Sequence, residues 1–97
     1  MHDRPSNARL SEEDVADALT TLTGWSRDGD ALTRTFTFDT FPDAIAFIQA
    51  LAPEAEVLDH HPELFNVYNR VDVRLTTHDT GGISALDVAL AKKLSAL

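Results

Sequence analysis

The chain has 97 residues, with 16 acidic against 8 basic side chains, a net charge of -8 and no cysteine. The negative charge repels phosphate backbones and the basic residues form no stripe, which argues against direct nucleic-acid binding. The lack of cysteine excludes thiolate catalysis and thiolate metal sites and is typical of a cytoplasmic protein, and no apolar run approaches the roughly 20 residues that cross a membrane.

The polar start of the chain, Met1 to Arg9, contains Pro5 and predicts a flexible tail rather than an export signal. The remaining residues, 10–97, suffice for a single domain. A domain of this size buries only about 60 to 65% of its unfolded surface, so its core is marginal. Because small domains often gain stability by self-association, we expect a homo-oligomer.

The first predicted helix follows Ser11, an N-cap residue with acidic side chains in the next turn. Apolar residues then recur at helical spacing, at Val15, Ala18, Leu19 and Leu22. Gly24 has the properties of a C-cap, so the helix is predicted over 12–23.

A period of two begins at Trp25 and predicts a β-hairpin. Asp28-Gly29-Asp30 is a turn signal, and apolar residues then alternate with threonines, at Leu32, Phe36 and Phe38. Arg34 interrupts the apolar face. It indicates either an edge position or a side chain whose stem lies flat with its head in solvent.

The second predicted helix has the clearest start signals, with Thr40 as cap, Pro42 in the first turn and Asp43 at the third position. Its predicted core-facing stripe is Phe41, Ile45, Ile48, Ala52 and Ala55.

Pro53 falls inside this second helix, where a proline removes a backbone donor. It predicts a kink or a break near Leu51. If the helix resumes, Glu56 lies about one turn before His60.

The last third of the chain predicts strands followed by a helix. Apolar residues alternate at Phe65, Val67, Val71, Val73 and Leu75. This pattern continues to His78 and leaves open one long strand or two strands joined near Asn69-Arg70. Gly81-Gly82 then predicts a turn, after which Ser84 and Asp87 repeat a capping pattern. The apolar face of this last helix consists of Leu86, Leu90 and Leu94.

The predicted order of elements is helix, strands, helix, strands, helix. It lacks the regular strand-helix alternation of a parallel sheet. An α+β fold, with an antiparallel sheet and helices packed on one face, is the simplest two-layer arrangement.

Histidines and carboxylates cluster in two short polar stretches. His60 and His61 precede Pro62, and His78 stands in the second stretch. Imidazole can release and recover a proton near neutral pH, so a histidine cluster without a nucleophile indicates acid-base chemistry. In the alternative, structural reading, His60 caps the preceding helix, His61 is merely exposed and His78 ends a strand. The nearby carboxylates are Glu56, Asp59 and Asp87.

Three imidazoles and a carboxylate can also bind zinc. The adjacent His60 and His61 disfavour such a site, because consecutive side chains in an extended segment point to opposite sides. Gly81-Gly82 lacks the pattern and the lysine of a phosphate-binding loop, and the chain has no Gly-x-Ser-x-Gly elbow of a serine hydrolase.

Several segments share a distinctive combination of residues, namely EVLDHHPE at 56–63, FNVYN at 65–69, LTTHD at 75–79, Gly81-Gly82 and Asp87. Weaker similarity covers 22–25 and 34–38. This combination closely resembles the pterin-4a-carbinolamine dehydratase family, over nearly the whole chain from Leu10. The resemblance implies an α+β fold with a four-stranded antiparallel sheet and helices on one face. It also favours two strands around Asn69 and implies a homodimer or homotetramer.

The resemblance implies a hydro-lyase that dehydrates a 4a-hydroxytetrahydropterin to the quinonoid dihydropterin without a metal or organic cofactor. An aromatic amino-acid hydroxylase would be its pathway partner. One acid would protonate the hydroxide that leaves C4a, and one base would remove the N5 proton, each typically contributing ~10² to 10⁴-fold.

The same resemblance implies the roles of the site residues. His60 and His78 would carry the proton transfers and His61 would hold the substrate, all three forming the catalytic set. Glu56 and Asp87 would orient or charge-stabilise the imidazoles. The implied pterin-binding residues are Asp59, His60, His61, Pro62, Thr76, Thr77, His78 and Asp79.

Two residues depart from the family pattern. Leu64 stands where many relatives carry tryptophan, which predicts a lost aromatic contact and weaker substrate binding. Pro53 lies in the helix that presents Glu56.

The alternative function is a non-catalytic binding module, since some animal relatives are dimerisation partners of a homeodomain transcription factor. In that reading the function lies on the surface formed by Leu86, Leu90 and Leu94.

Overall fold

The computed structural model describes residues 5–97, and its helices and strands follow the predicted order. The helices are α1 (Glu12–Leu19), α2 (Phe41–Leu58) and α3 (Ala85–Ser95). The strands are β1 (Ser26–Asp28), β2 (Ala31–Thr37), β3 (Glu63–Val67) and β4 (Arg70–Leu75), and a short 3₁₀ turn spans His78–Thr80. No helix in the described part of the chain is long and apolar enough to cross a membrane.

The strands form one antiparallel sheet in the order β1-β2-β4-β3, which confirms the predicted α+β fold. Strand β4 shows how the two faces differ. Val71, Val73 and Leu75 are buried in the core with side chains from all three helices. Asp72 and Arg74 lie on the opposite face, which no helix within residues 5–97 covers. Burial of one face only explains the alternating sequence pattern.

The first helix is shorter than predicted, because α1 ends at Leu19 rather than near residue 23. Its N-cap is confirmed, since the Ser11 hydroxyl accepts a hydrogen bond from a first-turn amide. At the other end, the hydroxyls of Thr20 and Thr21 donate to carbonyls three residues back, at 2.6 and 3.0 Å. Such bonds compete with the helical pattern. Gly24, with a φ of 88°, turns the chain towards β1 and does not cap the helix.

The predicted break in the second helix is wrong, because α2 continues through Pro53 to Leu58. Pro53 cannot donate to the carbonyl of Gln49, one turn earlier. Both residues are exposed, so the missing bond lies on the solvent side, where water can replace it.

The buried face of α2 is displaced from the predicted stripe. Its buried residues are Ala44, Phe47, Leu51, Ala55 and Leu58. Of the predicted stripe, Ile45 and Ile48 are only half-buried. Phe41 and Ala52 are exposed. Phe47 sets the orientation, because its ring centroid lies 4.5 Å from that of Phe36 and 5.2 Å from that of Phe38. The prediction used only the spacing of apolar residues within the helix. It therefore missed this contact with rings from another part of the chain.

Arg34 lies on an interior strand, so the edge alternative is wrong. Its guanidinium carbon lies 4.4 Å from the ring centroid of Phe36. The guanidinium also donates to the carbonyl of Thr23 at 3.3 Å and to the hydroxyl of Ser95 at 3.1 Å. The side chain therefore lies flat and connects β2 to the end of α3.

The segment around Asn69 forms two strands. β3 and β4 are antiparallel, with Val67 opposite Arg70 and a turn at Tyr68 and Asn69. The Asn69 side chain donates to the carbonyl of Phe38 at 2.8 Å, which fixes the hairpin to the segment after β2.

The last helix supplies core side chains. Its predicted capping box is confirmed. The side chain of Ser84 accepts a hydrogen bond from the backbone of Asp87, and the side chain of Asp87 accepts one from the backbone of Ser84. Leu86, Leu90 and Leu94 are at most 1% exposed. The predicted interaction surface on this helix is therefore wrong, because its leucines are already buried inside the chain.

Candidate active site

A cavity of about 260 Å³ opens where the ends of α2 and β4 meet the start of α3. Its lining includes all the predicted pterin-binding residues except Pro62, together with Asn7 and Leu86. Residues from two separate stretches of sequence are thus brought to one place. The volume is slightly below the roughly 300 to 1,000 Å³ of pockets for drug-sized ligands, and it suits a small bicyclic heterocycle.

A larger depression, of about 520 Å³, lies on the sheet face that no helix covers. No histidine of residues 5–97 lines it, and its charged groups are already engaged. Arg74 donates to Asp28 at 2.8 Å, and Asp72 accepts from the hydroxyl of Thr35 at 2.8 Å. Leu64 lines this depression and not the histidine cavity, so its location does not support the predicted loss of a substrate contact. We place the candidate site at the smaller cavity, where titratable groups converge.

The end of α2 fixes the direction in which His60 leaves the helix. Asp59 adopts a left-handed conformation with a φ of 49°. The amides of Asp59 and His60 donate to carbonyls in the last turn of the helix, at 3.0 and 3.1 Å. This is the Schellman pattern, which ends a helix and turns the chain aside. Pro62 does not line the cavity, but it restricts His61 to an extended conformation.

His60 points inward and is held by a buried carboxylate. Its Nε2 lies 2.5 Å from Oδ1 of Asp87. The His60 side chain is 10% exposed and the Asp87 side chain is fully buried. Oδ2 of Asp87 accepts two further hydrogen bonds, from the hydroxyl of Thr77 and the amide of Ser84, each at 2.8 Å. The predicted support of an imidazole by Asp87 thus has a defined geometry.

His61 points outward and pairs with Glu56. Its Nε2 lies 2.5 Å from Oε1 of Glu56, and its side chain is 61% exposed. The sequence spacing placed Glu56 one turn before His60, but the turn at Asp59 brings His61 back over that glutamate instead. The two neighbouring histidines therefore have different carboxylate partners.

His78 approaches the cavity from the opposite stretch of chain. The predicted strand is shorter than expected, because β4 ends at Leu75 and His78 begins the 3₁₀ turn. Its Nε2 lies 3.5 Å from Oε2 of Glu63, and its side chain is 80% exposed. Sequence reasoning missed Glu63 as a partner because the two residues meet only through the pairing of β3 with β4, which places Glu63 opposite Arg74.

The end of the segment before α1 is held against the start of α3. Arg9 forms an isolated β-bridge with Ser84, and the Leu10 amide donates to the carbonyl of Ile83 at 2.8 Å. This contact brings Asn7 into the cavity lining. A Cβ at Gly82 would lie 2.9 Å from Nε of Arg9, so glycine there allows the close approach. Residues 1–4 of the predicted tail lie outside the described residues.

Among the described residues, three imidazoles therefore border the cavity, each beside a different carboxylate. Such groups can give a proton to one atom of a bound molecule and accept a proton from another. Within residues 5–97, no three His, Asp or Glu side chains are placed to hold one metal ion. The divergence of His60 and His61 explains this arrangement.

Comparison with known proteins bears on what this cavity binds. A profile of the family described as "Pterin 4 alpha carbinolamine dehydratase" matches residues 8–97. The chain is similar to a protein provisionally named pterin-4-alpha-carbinolamine dehydratase from Rhizorhabdus wittichii, with 52% identity over 91% of this chain and 93% of that protein. A protein of the same provisional name from Thermomicrobium roseum is 48% identical over 93% of this chain and 97% of its own length.

The fold is similar to a solved structure as well. A crystal structure of "transcriptional coactivator/pterin dehydratase" from Brucella melitensis matches with a TM-score of 0.88 and 47% identity, over 91% of this chain and 96% of that chain. Profile, sequence and structure agree over nearly the whole length, and the chain belongs to the pterin 4 alpha carbinolamine dehydratase family.

Proposed function

We propose that the protein is a hydro-lyase that converts a 4a-hydroxytetrahydropterin into the quinonoid dihydropterin and water. One observation carries the proposal: the three histidines to which the family resemblance assigns proton transfer and substrate holding border a single cavity. Membership of the family supports the choice of a pterin. In this proposal an aromatic amino-acid hydroxylase is the pathway partner that generates the carbinolamine.

The reaction needs a proton at one atom and loses a proton from another. The C4a–O bond breaks readily when the oxygen leaves as water, so an acid must protonate it. The N5–H proton must leave as the C4a=N5 bond forms, so a base must accept it. No oxidation state changes, and one acid and one base therefore suffice.

In this proposal His60 and His78 carry the two proton transfers and His61 holds the substrate. Each imidazole is oriented by the carboxylate beside it, which keeps the ring nitrogens in place before the substrate arrives. The polar groups that contact the edges of the heterocycle come from Asp59, Thr76 and Asp79.

A direct assay tests the proposal. The protein is mixed with freshly generated 4a-carbinolamine, and dihydropterin formation is followed against the spontaneous reaction. Catalysis is expected in the unchanged protein, and His78→Gln should lower kcat by ~10² to 10⁴-fold, the usual contribution of one acid or base. Because His78 is largely exposed, the melting temperature of this variant should equal that of the unchanged protein. Gln49→Ala, at an exposed position of α2 outside the cavity, serves as the matched control.

Two outcomes would contradict the proposal. A rate for the unchanged protein equal to spontaneous dehydration rejects the enzyme. A His78→Gln variant with full turnover rejects the role of that imidazole. His60→Gln is less clean as a probe, because it leaves the buried Asp87 without one of its donors and therefore also lowers stability.

We further propose that the chain forms a homodimer or homotetramer. Strand β3 is an edge of the sheet, and it presents apolar side chains there at Phe65 and Val67. Exposed edges of this kind favour pairing with another strand, and a second copy of β3 is the simplest partner. Light scattering after size exclusion measures the mass, and a monomer at all concentrations tested would exclude this assembly.

A further inference from the structure

We propose that the hydroxyls of Thr77 and Ser84 are positioning groups that fix the tautomer of His60 through Asp87. His60 then carries its hydrogen on Nε2 and exchanges protons with the substrate through Nδ1. This inference deepens the proposed function and rests on it, because it states which atom of His60 works at the cavity.

The direction of each hydrogen bond in the buried network follows from counting hydrogens. The Leu86 amide donates to Oγ of Ser84 at 3.2 Å. Oγ1 of Thr77 lies 2.8 Å from the Asp87 carboxylate, which can only accept, so the single hydroxyl hydrogen of Thr77 is used there. In the 2.7 Å contact between Thr77 and Ser84, the Ser84 hydroxyl must then be the donor. Every hydrogen in the chain of bonds points towards Asp87.

The carboxylate in turn determines where His60 carries its hydrogen. Oδ2 of Asp87 is occupied by the Thr77 hydroxyl and the Ser84 amide. Oδ1 faces Nε2 of His60 at 2.5 Å, and an ionised oxygen requires a donor at that nitrogen. His60 is therefore protonated at Nε2, as the hydrogen bond of one ring nitrogen dictates the state of the other.

The second ring nitrogen of His60 makes no hydrogen bond to the described residues. Among the described residues, every buried side-chain nitrogen or oxygen has a hydrogen-bond partner. The ring bonds to Asp87 through Nε2, and no bond within residues 5–97 involves Nδ1. Nδ1 is therefore accessible, and His60 borders the cavity. A substrate bound there meets Nδ1, whose lone pair is free in this tautomer.

Thr77 thus has a different role from the one that the family resemblance implied. It is 5% exposed, its hydroxyl hydrogen is used on Asp87, and its amide donates to the carbonyl of Gly82 at 2.9 Å. It has no hydrogen left for a ligand. Thr77 lines the cavity but offers a ligand no hydrogen-bond donor, so it acts on proton transfer through Asp87 and His60, as a positioning residue.

The experiment compares Thr77→Val, which removes the hydroxyl with little change of shape, with Thr77→Ser, which retains it. Nitrogen-15 NMR of His60, at a pH where the ring is neutral, should show hydrogen at Nε2 in the unchanged protein and in Thr77→Ser. In Thr77→Val the Asp87 carboxylate loses a donor that holds Oδ1 towards Nε2, so it can turn away, and His60 should show a mixture of tautomers. The kcat of this variant should fall on the order of 10- to 100-fold, the size of one lost hydrogen bond to a charged group, with KM little changed.

Thr35→Val is the matched control, because it removes an equivalent threonine bond to a carboxylate, at 2.8 Å from Asp72 on the open sheet face. Neither the His60 spectrum nor kcat should change in this variant. Hydrogen at Nδ1 of His60 in the unchanged protein overturns the inference without any variant. So does a Thr77→Val protein with an unaltered His60 spectrum. If the unchanged protein shows the predicted tautomer but no dehydration, the proposed function fails and the positioning network stands.

Discussion

Asp87→Ala removes a carboxylate that is fully buried and accepts three hydrogen bonds. Two of its donors, the Thr77 hydroxyl and the Ser84 amide, are themselves buried. Each donor left without a partner costs about 1 to 3 kcal/mol. The third donor is Nε2 of His60. Without Asp87 the ring can carry its hydrogen on the accessible Nδ1 instead, so the loss of this bond adds little.

The free energy of unfolding should therefore fall by about 2 to 6 kcal/mol, against a total of roughly 5 to 15 kcal/mol for a typical domain. At about 4 to 8 °C per kcal/mol for this chain length, the melting temperature should fall on the order of 20 °C. Urea denaturation followed by circular dichroism measures the first quantity, and a thermal scan at fixed protein concentration measures the second.

Two variants make the result specific. Asp72→Ala removes a 40% exposed carboxylate that accepts from Thr35, and it should change stability by less than about 1 kcal/mol. Asp87→Asn keeps an oxygen for the Thr77 and Ser84 donors but turns an amide towards His60, which reverses the His60 tautomer. It should be more stable than Asp87→Ala. Both variants should have low turnover. If the free energy of unfolding of Asp87→Ala lies within about 1 kcal/mol of that of the unchanged protein, the buried donors have other partners and the reasoning is refuted.

Leu90→Ala should lower the free energy of unfolding by about 2 to 5 kcal/mol without weakening self-association, because Leu90 is fully buried; a change of mass in light scattering with unchanged stability would contradict this. Asn7→Ala should raise KM for the pterin and leave kcat unchanged, with Ser6→Ala as control; equal KM values would remove Asn7 from the site. Arg27, hydrogen-bonded to Glu12, holds the pKa of that carboxyl below its usual value of 4.5. The pair therefore stabilises the fold fully above the pKa of the unfolded chain, and this contribution disappears as pH falls through the lowered folded value. Arg27→Met should flatten the dependence of melting temperature on pH below about 4.5, and an identical acid slope would oppose the assignment.

Local signals in the sequence predicted the starts of the helices well. The caps at Ser11, Thr40 and Ser84 each bond to an amide two or three residues away, so the residues that form them stand together in the sequence. The histidines that border the cavity were singled out for a similar reason, because they stand in short, distinctive segments. The spacing of residues within a segment does not predict which distant residues that segment contacts in the fold.

The errors arise where distant contacts decide. The pairing of His78 with Glu63 depends on strand register, and the contribution of Asn7 depends on the bridge between Arg9 and Ser84. The phase of α2 was wrong for the same reason, since aromatic rings of a neighbouring strand select its buried face. Nothing in local periodicity reports such contacts.

The start of α3 shows why a helix cap and a functional group coincide in this chain. One oxygen of Asp87 accepts from the amide of its capping partner Ser84, and the other holds His60. The positive end of a helix dipole favours a carboxylate at this position, so the same field that stabilises the cap stabilises the partner of the imidazole. The same carboxylate therefore caps the helix and holds His60. It also ties His60 to a helix whose leucines form the core, whereas His78 stands on a short turn and pairs with the half-exposed Glu63 of the edge strand β3, so the two proposed proton carriers have differently buried partners.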